Sequence, residues 1–432
     1  MMLSLSTVSA QNDITVHDDS IGHDEEIELP EAMGLDIDTL LRQWNAEQYL
    51  LTDTDCRNQD VNPVFPDSIF IDRLSRMPCV MEMPYNTVVR KLIDQYTGRL
   101  RHSVSYMLGA ANFYMPIFEE ALSLYNLPLE LKYLPIIESA LDPMATSRKG
   151  AVGLWQFMLK TGKRYNLTVN SLVDERRDPI KATLAAAEYL SDLYKLYGDW
   201  NLVIAAYNCG PTQINKAIHR AGGERDYWKI YPYLPKETRG YVPAFIAANY
   251  VMNYYCEHNI CPMRARLPEA SDTITVVRDL SLQQVATLCN VPEARLHALN
   301  PQYKTDLVPG SSGECVLRLP SEAALKFIDL GDSIYSIAAG DATAKRKTVE
   351  VDEQSQEPTI TSRRSYSSRR SYSSRRSRPR RSRSRSSKSV TIQSGQTLSE
   401  IAEKHHTTVA KLKKLNKISG SSIRAGKKLR VK

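Results

Sequence analysis

The stretch LPIIESALDPMATSRKGAVGLWQ, residues 134–156, constrains this chain more than any other. It sets a carboxylate, Glu138, at the end of a short apolar run and follows it with a turn of small residues. Pro128 suits the first turn of a helix, where a missing N–H costs nothing. Leu131, Leu134 and Ile137 then recur at helical spacing, and Asp142-Pro143 must stop the helix soon after Glu138. Pro135 inside the run predicts a kink. A carboxylate at a helix C-terminus meets the negative end of the dipole. A lining of Ile136, Ile137 and Leu154 would desolvate it as well, and both effects favour the protonated form. A carboxylic acid held protonated near neutral pH can deliver a proton to the leaving oxygen of an acetal. The competing reading is a helix-end glutamate paired with Arg148 or Lys149.

Two further motifs weigh against that competing reading. AAYNCGP follows at 205–211 and ETRGYVP at 237–243. The order ES-x-x-x-x-P-x-A-x-S, G-L-W-Q, A-Y-N, E-T-R-x-Y-V-P resembles the lytic transglycosylase domain of the goose-type lysozyme superfamily. The resemblance covers about 90–260. Trp155 in the GLWQ corner, where Met is more widespread, and DERRDP at 174–179 resemble the subgroup that joins this domain to C-terminal LysM modules. Position by position, the resemblance implies Glu138 as catalytic acid/base and Ser147 as a residue that helps hold the sugar or the acid. It implies Gln156 as a cleft-lining hydrogen-bonder and Tyr207, with Asn208 beside it, near the catalytic glutamate. Tyr241 would be a second cleft tyrosine. Neither a cofactor nor a metal is implied.

A chain of 432 residues is long enough for two or three domains. Its net charge of +7 is unevenly spread. Residues 361–432 hold 22 Lys+Arg against 2 Asp+Glu, so the first 360 residues are acidic overall. The basic character therefore belongs to the tail. No run of 18 apolar residues occurs, so no transmembrane helix is expected. Residues 1–11 read as a truncated signal peptide without the positive n-region, and no early cysteine suits lipid attachment. Export to the periplasm or cell envelope is expected, without membrane attachment. Among the seven cysteines, the spacing suggests the pairs Cys256–Cys261, Cys289–Cys315 and Cys56–Cys79. Cys209 is left over as a small hydrophobe. No His cluster or CxxC repeat suggests a metal.

The expected fold class is mainly α, a lysozyme-like helical catalytic domain followed by small βααβ LysM modules. Residues 12–59 read as an acidic flexible arm without strand pattern, ending in a short helix at 36–48. The catalytic domain is expected at 60–265, with residues 60–83 as a strap. Helical periodicity runs through 103–124, 179–197 and 237–258, and Tyr189, Tyr194 and Tyr197 read as core. Residues 270–320 show a β-α-α-β order that resembles a divergent LysM module lacking the usual Gly-x-Thr in its first loop. Residues 338–388 form a linker. Within it, 361–388 is Arg/Ser-rich, with too little apolar content to offset its ordering entropy. Weak polyanion adhesion is expected of this tract; nucleic acid is not the expected partner of an exported enzyme. Residues 389–432 read strand, helix 397–404, helix 408–415, strand 428–431, around Ile401, Val409, Leu412 and Leu415. They resemble LysM, a binder of N-acetylglucosamine-containing glycans. The resemblance places the sugar groove in two loops, Gly395 to Leu398 (with Thr397) and Ser419 to Ile423.

The implied activity is cleavage of peptidoglycan between N-acetylmuramic acid and N-acetylglucosamine with formation of a 1,6-anhydro ring. Two rivals are a hydrolase of the goose-type lysozyme kind, with Asp142 or another acid activating water, and a non-catalytic wall-binding protein. The two tail segments should differ in their response to salt. The 389–432 fragment should sediment with purified peptidoglycan almost independently of salt, because shape and hydrogen bonds release few counterions. A 361–388 peptide carries 12 Lys+Arg and no acid. Its binding to anionic envelope material should vanish at high salt, where the Debye length drops from roughly 8 Å towards about 3 Å. Failure of the fragment to sediment would contradict glycan binding by the module.

Overall fold

Helix boundaries in the central region follow from caps. Asp178 starts the helix Pro179–Tyr197 by accepting hydrogen bonds from the Ile180 and Lys181 amides, with proline in the first turn. Gly198 ends it in the left-handed conformation, and Asp199 at once caps the next helix, Trp200–Cys209, through the Leu202 amide at 2.8 Å. A computed structural model describes residues 13–18, 23–34, 50–51, 61–265, 270–336, 389–391, 401–402, 405, 409–416 and 428–430. It divides into two units, 1–360 and 361–432.

The first unit is built on a lysozyme-like helical body. The long helices Pro179–Tyr197 and Lys236–Tyr254 pack on the shorter Trp200–Cys209, and Arg101–Leu124 packs against Pro179–Tyr197. Their facing residues, among them Phe118, Leu190, Ile204, Val242 and Phe245, are fully buried in one continuous core. The 60–83 strap contains a helix, Asp67–Arg76, and is tied down by Asn62, which bonds Thr97 and the buried His258. The mainly α class expected from periodicity is the class observed.

The N-terminal region differs from expectation. Asp13–Asp18 and His23–Glu28 form an antiparallel hairpin instead of an arm without strand pattern. Val16 and Ile27 are buried. The acidic residues hide the alternation, because each strand turns only one or two apolar residues inward. Gly240 on the closing helix receives the hairpin: a Cβ there would lie 2.5 Å from Ile27 Cγ2 and 3.0 Å from the Glu28 carbonyl oxygen. The expected signal segment 1–11 and helix 36–48 lie outside the described residues.

A second core is gathered from 271–336, with Leu172 and Val173 of the first domain inserted into it. Ser271–Val276 pairs antiparallel with Cys315–Pro320, and Asp279–Ser281 with Leu307–Pro309, flanking the helices Leu282–Cys289 and Glu293–Leu299. A capping box at Ser281 and Gln284 starts the first of these helices. A further helix, Ser321–Leu330, extends the module past residue 320 and buries Phe327. The module is joined to the catalytic body by backbone bonds: the Asp174 amide donates to Gln302 O at 2.8 Å and the Lys304 amide to Leu172 O at 2.9 Å.

In the second unit, Ser389–Thr391 pairs antiparallel with Lys428–Arg430, beside the helix Val409–Asn416. Ile401, Ala402, Leu412 and Leu429 are buried. Leu415, expected in this core, is 39% exposed. The Val409 side chain, the 361–388 tract and the groove positions Gly395, Thr397, Leu398 and Ile423 lie outside the described residues. None of the three expected cysteine pairs forms. Cys79, Cys256, Cys289 and Cys315 carry free thiols, and Cys261 is disulfide-bonded.

Arg176 is a fully buried charge that ties several segments of the first unit together. It grips Asp174 with two bonds, Nε to Oδ1 at 2.9 Å and Nη2 to Oδ2 at 2.8 Å. Its Nη1 donates to the carbonyl oxygens of Gly150 and Phe157. Removing one partner of such a pair strands the other without solvent. Arg176→Ala should therefore lower unfolding stability by ~3–5 kcal/mol, read from urea midpoints. Lysine should not restore it, because it lacks the planar fork. A change below about 1 kcal/mol would contradict this assignment.

Candidate active site

The backbone around Glu138 is set by two turns. A 3₁₀ turn, Leu129–Tyr133, leads into a six-residue α-helix, Leu134–Ser139. Pro135 lies in the first turn of that helix and so starts it, rather than kinking a longer one. The helix ends earlier than the Asp142-Pro143 step, at Ala140 and Leu141, which take left-handed φ values of 51° and 63°. Two consecutive non-glycine residues there are costly and persist only where the surroundings enforce them. Asp142 supplies part of that enforcement by accepting from the Met144 amide at 2.8 Å. Ser139 Oγ donates to Leu154 O at 2.9 Å and binds the helix to the GLWQ turn.

The GLWQ turn is held from below. Gly153 has φ +86°, and a Cβ on it would fall 1.9 Å from Arg176 O, so only glycine fits. Trp155 is wholly buried, donates to Thr183 Oγ1 at 2.8 Å and packs edge-on to Phe118. It is a core residue and not a sugar platform. Tyr207 donates its hydroxyl to Trp155 O at 2.7 Å.

These turns open into a cleft of about 370 Å³ that contains Glu138, Ser147, Gln156, Tyr207, Asn208 and Tyr241 together. All six positions expected for the catalytic domain thus line one cavity, and their polar commitments can be read individually. Ser147 Oγ accepts from the Ala151 amide at 3.0 Å, closing the loop 147–151. Gln156 spends its amide N–H groups on Gly153 O and Ala145 O, which leaves its carbonyl oxygen as the free polar end. Asn208 Oδ1 accepts from Thr238 Oγ1 at 2.8 Å, which leaves its NH₂ as a donor towards the cleft.

Glu138 keeps partial access to the cleft, while Ile136 and Ile137 behind it are buried. Burial pushes its carboxyl up to about 8 from the ordinary 4.5. The Tyr241 hydroxyl, which donates to Oε1, acts in the opposite direction, and the Glu237 and Glu31 carboxylates add to the rise. Tyr241 is itself 2% exposed, so this donor is fixed in place. Neither Arg148 nor Lys149 pairs with the acid: Lys149 bonds Glu237 at 2.5 Å across the cleft. Asp142 is fully buried, faces away from the cavity and is raised to about 6 by burial.

Several cleft residues escaped the sequence reading. Tyr189, expected in the core, lines the cavity with its ring 5.3 Å from that of Tyr207. Its place on the helix face towards Tyr207 depends on packing between two helices, which spacing alone does not give. Glu237 stands in the quoted ETRGYVP motif, whose place beside Tyr241 was the signal that could have pointed to it. Glu31 comes from the 3₁₀ turn Glu31–Gly34, over 100 residues before the acid. Cys209 also lines the cleft, and burial raises its thiol, consistent with a small hydrophobe. Elsewhere, Glu293, His297 and Asp306 bring ligand-type atoms together. Asp306 already accepts from Ser281 Oγ and the Gln283 amide as a helix cap.

A helical, lysozyme-like body with one raised carboxyl in a polar, tyrosine-lined cleft defines a glycan-cleaving enzyme class. Comparison with known proteins specifies the class. The transglycosylase SLT domain family matches residues 115–230, the LysM-like domain of lytic transglycosylase MltD matches 270–336, and the LysM domain matches 390–432. The chain is 29% identical over 360 residues to membrane-bound lytic murein transglycosylase D of Escherichia coli (strain K12), covering 81% of this chain and 70% of that one. It is 33% identical over 129 residues to membrane-bound lytic murein transglycosylase F of Maricaulis maris, covering 27% and 26% of the two chains. The 70 kDa soluble lytic transglycosylase of Escherichia coli aligns with 34% of this chain and 25% of its own, at 26% identity and a TM-score of 0.30. The chain thus carries matches to an SLT transglycosylase domain and two LysM-type domains, and over most of its length it is similar to a lytic murein transglycosylase.

The raised carboxyl has a stability consequence with a definite sign. Between the unfolded value near 4.5 and the folded value near 8 the native protein binds more protons than the unfolded chain. Stability therefore falls as pH rises through that window. Glu138→Gln removes the titration. Its melting temperature should match wild type at pH 4 and exceed it increasingly up to pH 9. A constant difference across that range would contradict the raised value.

Proposed function

We propose that this enzyme cleaves the β-1,4 bond between N-acetylmuramic acid and N-acetylglucosamine in peptidoglycan and leaves a 1,6-anhydromuramic end. Glu138, protonated at neutral pH, gives its proton to the glycosidic oxygen as the C1–O bond breaks. The substrate's own N-acetyl group stabilises the cationic centre. The Glu138 carboxylate then takes the proton of the muramyl 6-hydroxyl while O6 bonds to C1. Glu138 ends protonated, ready for another turn, and no water is consumed.

The observation that carries this reading is the single raised carboxyl held by Tyr241. One group serves both proton transfers, whereas direct hydrolysis usually needs a second carboxylate to activate water or act as nucleophile. Asp142, the expected candidate for that second role in a hydrolase, is sealed from the cleft. Glu237 is held by Lys149. Glu31 remains as an unpaired cleft carboxylate and is the one feature that favours a hydrolase. In the transglycosylase reading Tyr241 orients the acid, Tyr207 fixes the turn behind it, and the Asn208 donor and Gln156 acceptor meet the sugar's polar groups. Ser147 holds the loop between them.

The C-terminal module would keep the enzyme on its polymeric substrate by binding N-acetylglucosamine units, with Gly395, Thr397, Leu398 and Ile423 in its groove. Such binding would hold the enzyme in the cell envelope. Among the described residues no helix is long and apolar enough to cross a membrane. The Arg/Ser tract would add salt-sensitive contact with envelope polyanions.

Mass spectrometry of digested sacculi should show muropeptides lighter by one water than those from a hydrolysing lysozyme. Reducing-end muramic acid as the main product would select the hydrolase reading. Glu138→Gln should lose ~10²–10⁴ in rate or more with folding intact, and Tyr207→Phe should lose less.

A further inference from the structure

The LysM-like module closes on itself along one edge and grips the catalytic body along another. In the C-terminal module the resemblance places the sugar between the loop after the first strand and the loop before the last. The corresponding loops of the LysM-like module, 277–281 and 300–314, are bonded to each other. Asp279–Ser281 and Leu307–Pro309 pair as antiparallel strands across the gap. The Asp279 amide donates to Ser311 Oγ at 3.2 Å, and the Ser311 amide donates to Asp279 Oδ1 at 3.0 Å. A Cβ on Gly310 would lie 2.5 Å from the Arg278 carbonyl oxygen, so the two backbones are in contact. The Tyr335 ring lies 3.9 Å from the Arg278 guanidinium, which also pairs with Asp332. A sugar could enter between these loops only by breaking their bonds and stranding the polar groups that make them.

The other edge is the seam with the catalytic body. Leu172 and Val173 are buried in the module's core, and Val173 bridges Tyr303 in antiparallel fashion. The bonds from the Asp174 amide to Gln302 O and from the Lys304 amide to Leu172 O continue that pairing. Lys304 Nζ reaches Asn170 O at 3.2 Å. On the module's side, Gln302 Nε2 and the Tyr303 hydroxyl both donate to Val316 O, at 3.3 Å and 2.6 Å, which ties the seam to the last strand. On the catalytic side, the Asp174 carboxylate holds Arg176. Arg176 in turn holds the carbonyls of Gly150 and Phe157, one on either side of the GLWQ turn.

We propose that the LysM-like module is a brace that positions the active-site turn through the seam at 170–178, and that it is not a glycan-binding module. The path runs from the module's last strand through Gln302 and Tyr303 to Val173 and Asp174, and from Asp174 through Arg176 to the GLWQ turn. The links are backbone pairings and hydrogen bonds among largely buried groups, so the seam and the turn open together or not at all. Wall binding outside the cleft is then left to residues 389–432. This role does not depend on which bond the cleft cuts. Gln302 and Tyr303 are positioning residues in this scheme: they act on the site through Asp174 and Arg176 and touch no substrate.

Native-state hydrogen exchange of the full-length wild type in a low-urea series tests the brace, because it resolves which segments open together. Amides of 150–157, 170–178 and 300–304 should lose protection at the same urea concentration. A seam that opens at lower urea while 150–157 stays protected would overturn the proposal without reference to any variant. The double variant Leu172→Ala, Val173→Ala withdraws both side chains from the module's core. It should speed exchange at 150–157 severalfold. It should also move the alkaline limb of the pH–rate profile, set by Glu138 near 8, to lower pH, since a looser turn admits water to the acid. Faster exchange in 271–336 with both of these unmoved would contradict the brace. In Glu138→Gln with excess N-acetylglucosamine hexamer, 277–281 and 305–314 should exchange as they do without sugar. Slowed exchange there would reveal a working groove and overturn the claim that the module does not bind glycan.

Discussion

The bonds of Arg176 are the constraint on which the rest of the first unit depends. A guanidinium with no solvent access must find all its partners inside the protein. Asp174 takes two of its donors, and the carbonyls of Gly150 and Phe157 take another. Those carbonyls belong to the loop that forms one side of the cleft, and Asp174 belongs to the segment bonded to the second core. One charge therefore sets the position of the GLWQ turn, the seat of Gly153 and the attachment of the LysM-like module. The DERRDP run is in this sense part of the active site's frame, although no atom of Arg176 reaches the cleft.

The electrostatics of the cleft follow from that frame. The turn over Arg176 bonds the catalytic helix through Leu154 O and Ser139, and Glu138 has the buried Ile136 and Ile137 beside it and a cleft in front. Burial raises its pKa, and the single strong donor, Tyr241, counteracts only part of the rise. The lone cation among the cleft-lining residues, Lys149, is committed to Glu237. No positive charge bonds the acid, and it remains a proton donor at neutral pH.

Much of this was legible in the sequence, and the failures have physical causes. Periodicity gave the long helices, because that signal acts within a few residues; the capping aspartates Asp178 and Asp199 that fix their ends emerged only with the structure. The six polar positions expected for the catalytic domain each stand in a short motif, and the structure collects them in one cavity. Glu31 and Tyr189 were not found, since their roles arise from contacts between distant segments. The hairpin at 13–28 was read as an arm because two inward apolar residues among carboxylates leave too weak an alternation. The cysteine pairs failed for a related reason: spacing bounds which thiols could meet, but the directions of the Cβ atoms decide it. Asp142 was offered as the water-activating acid of a rival hydrolase reading that its place in the motif weakly opposed, and its burial speaks against that role as well.

The central claim is that the cleft holds Glu138 protonated at neutral pH. Difference infrared spectroscopy between wild type and Glu138→Gln across a pH series isolates this one carboxyl. The account predicts a protonated C=O stretch that persists at pH 7 and disappears with a midpoint near 8. A midpoint near the ordinary 4.5 would show that the acid is ionised in the resting enzyme and would contradict the account.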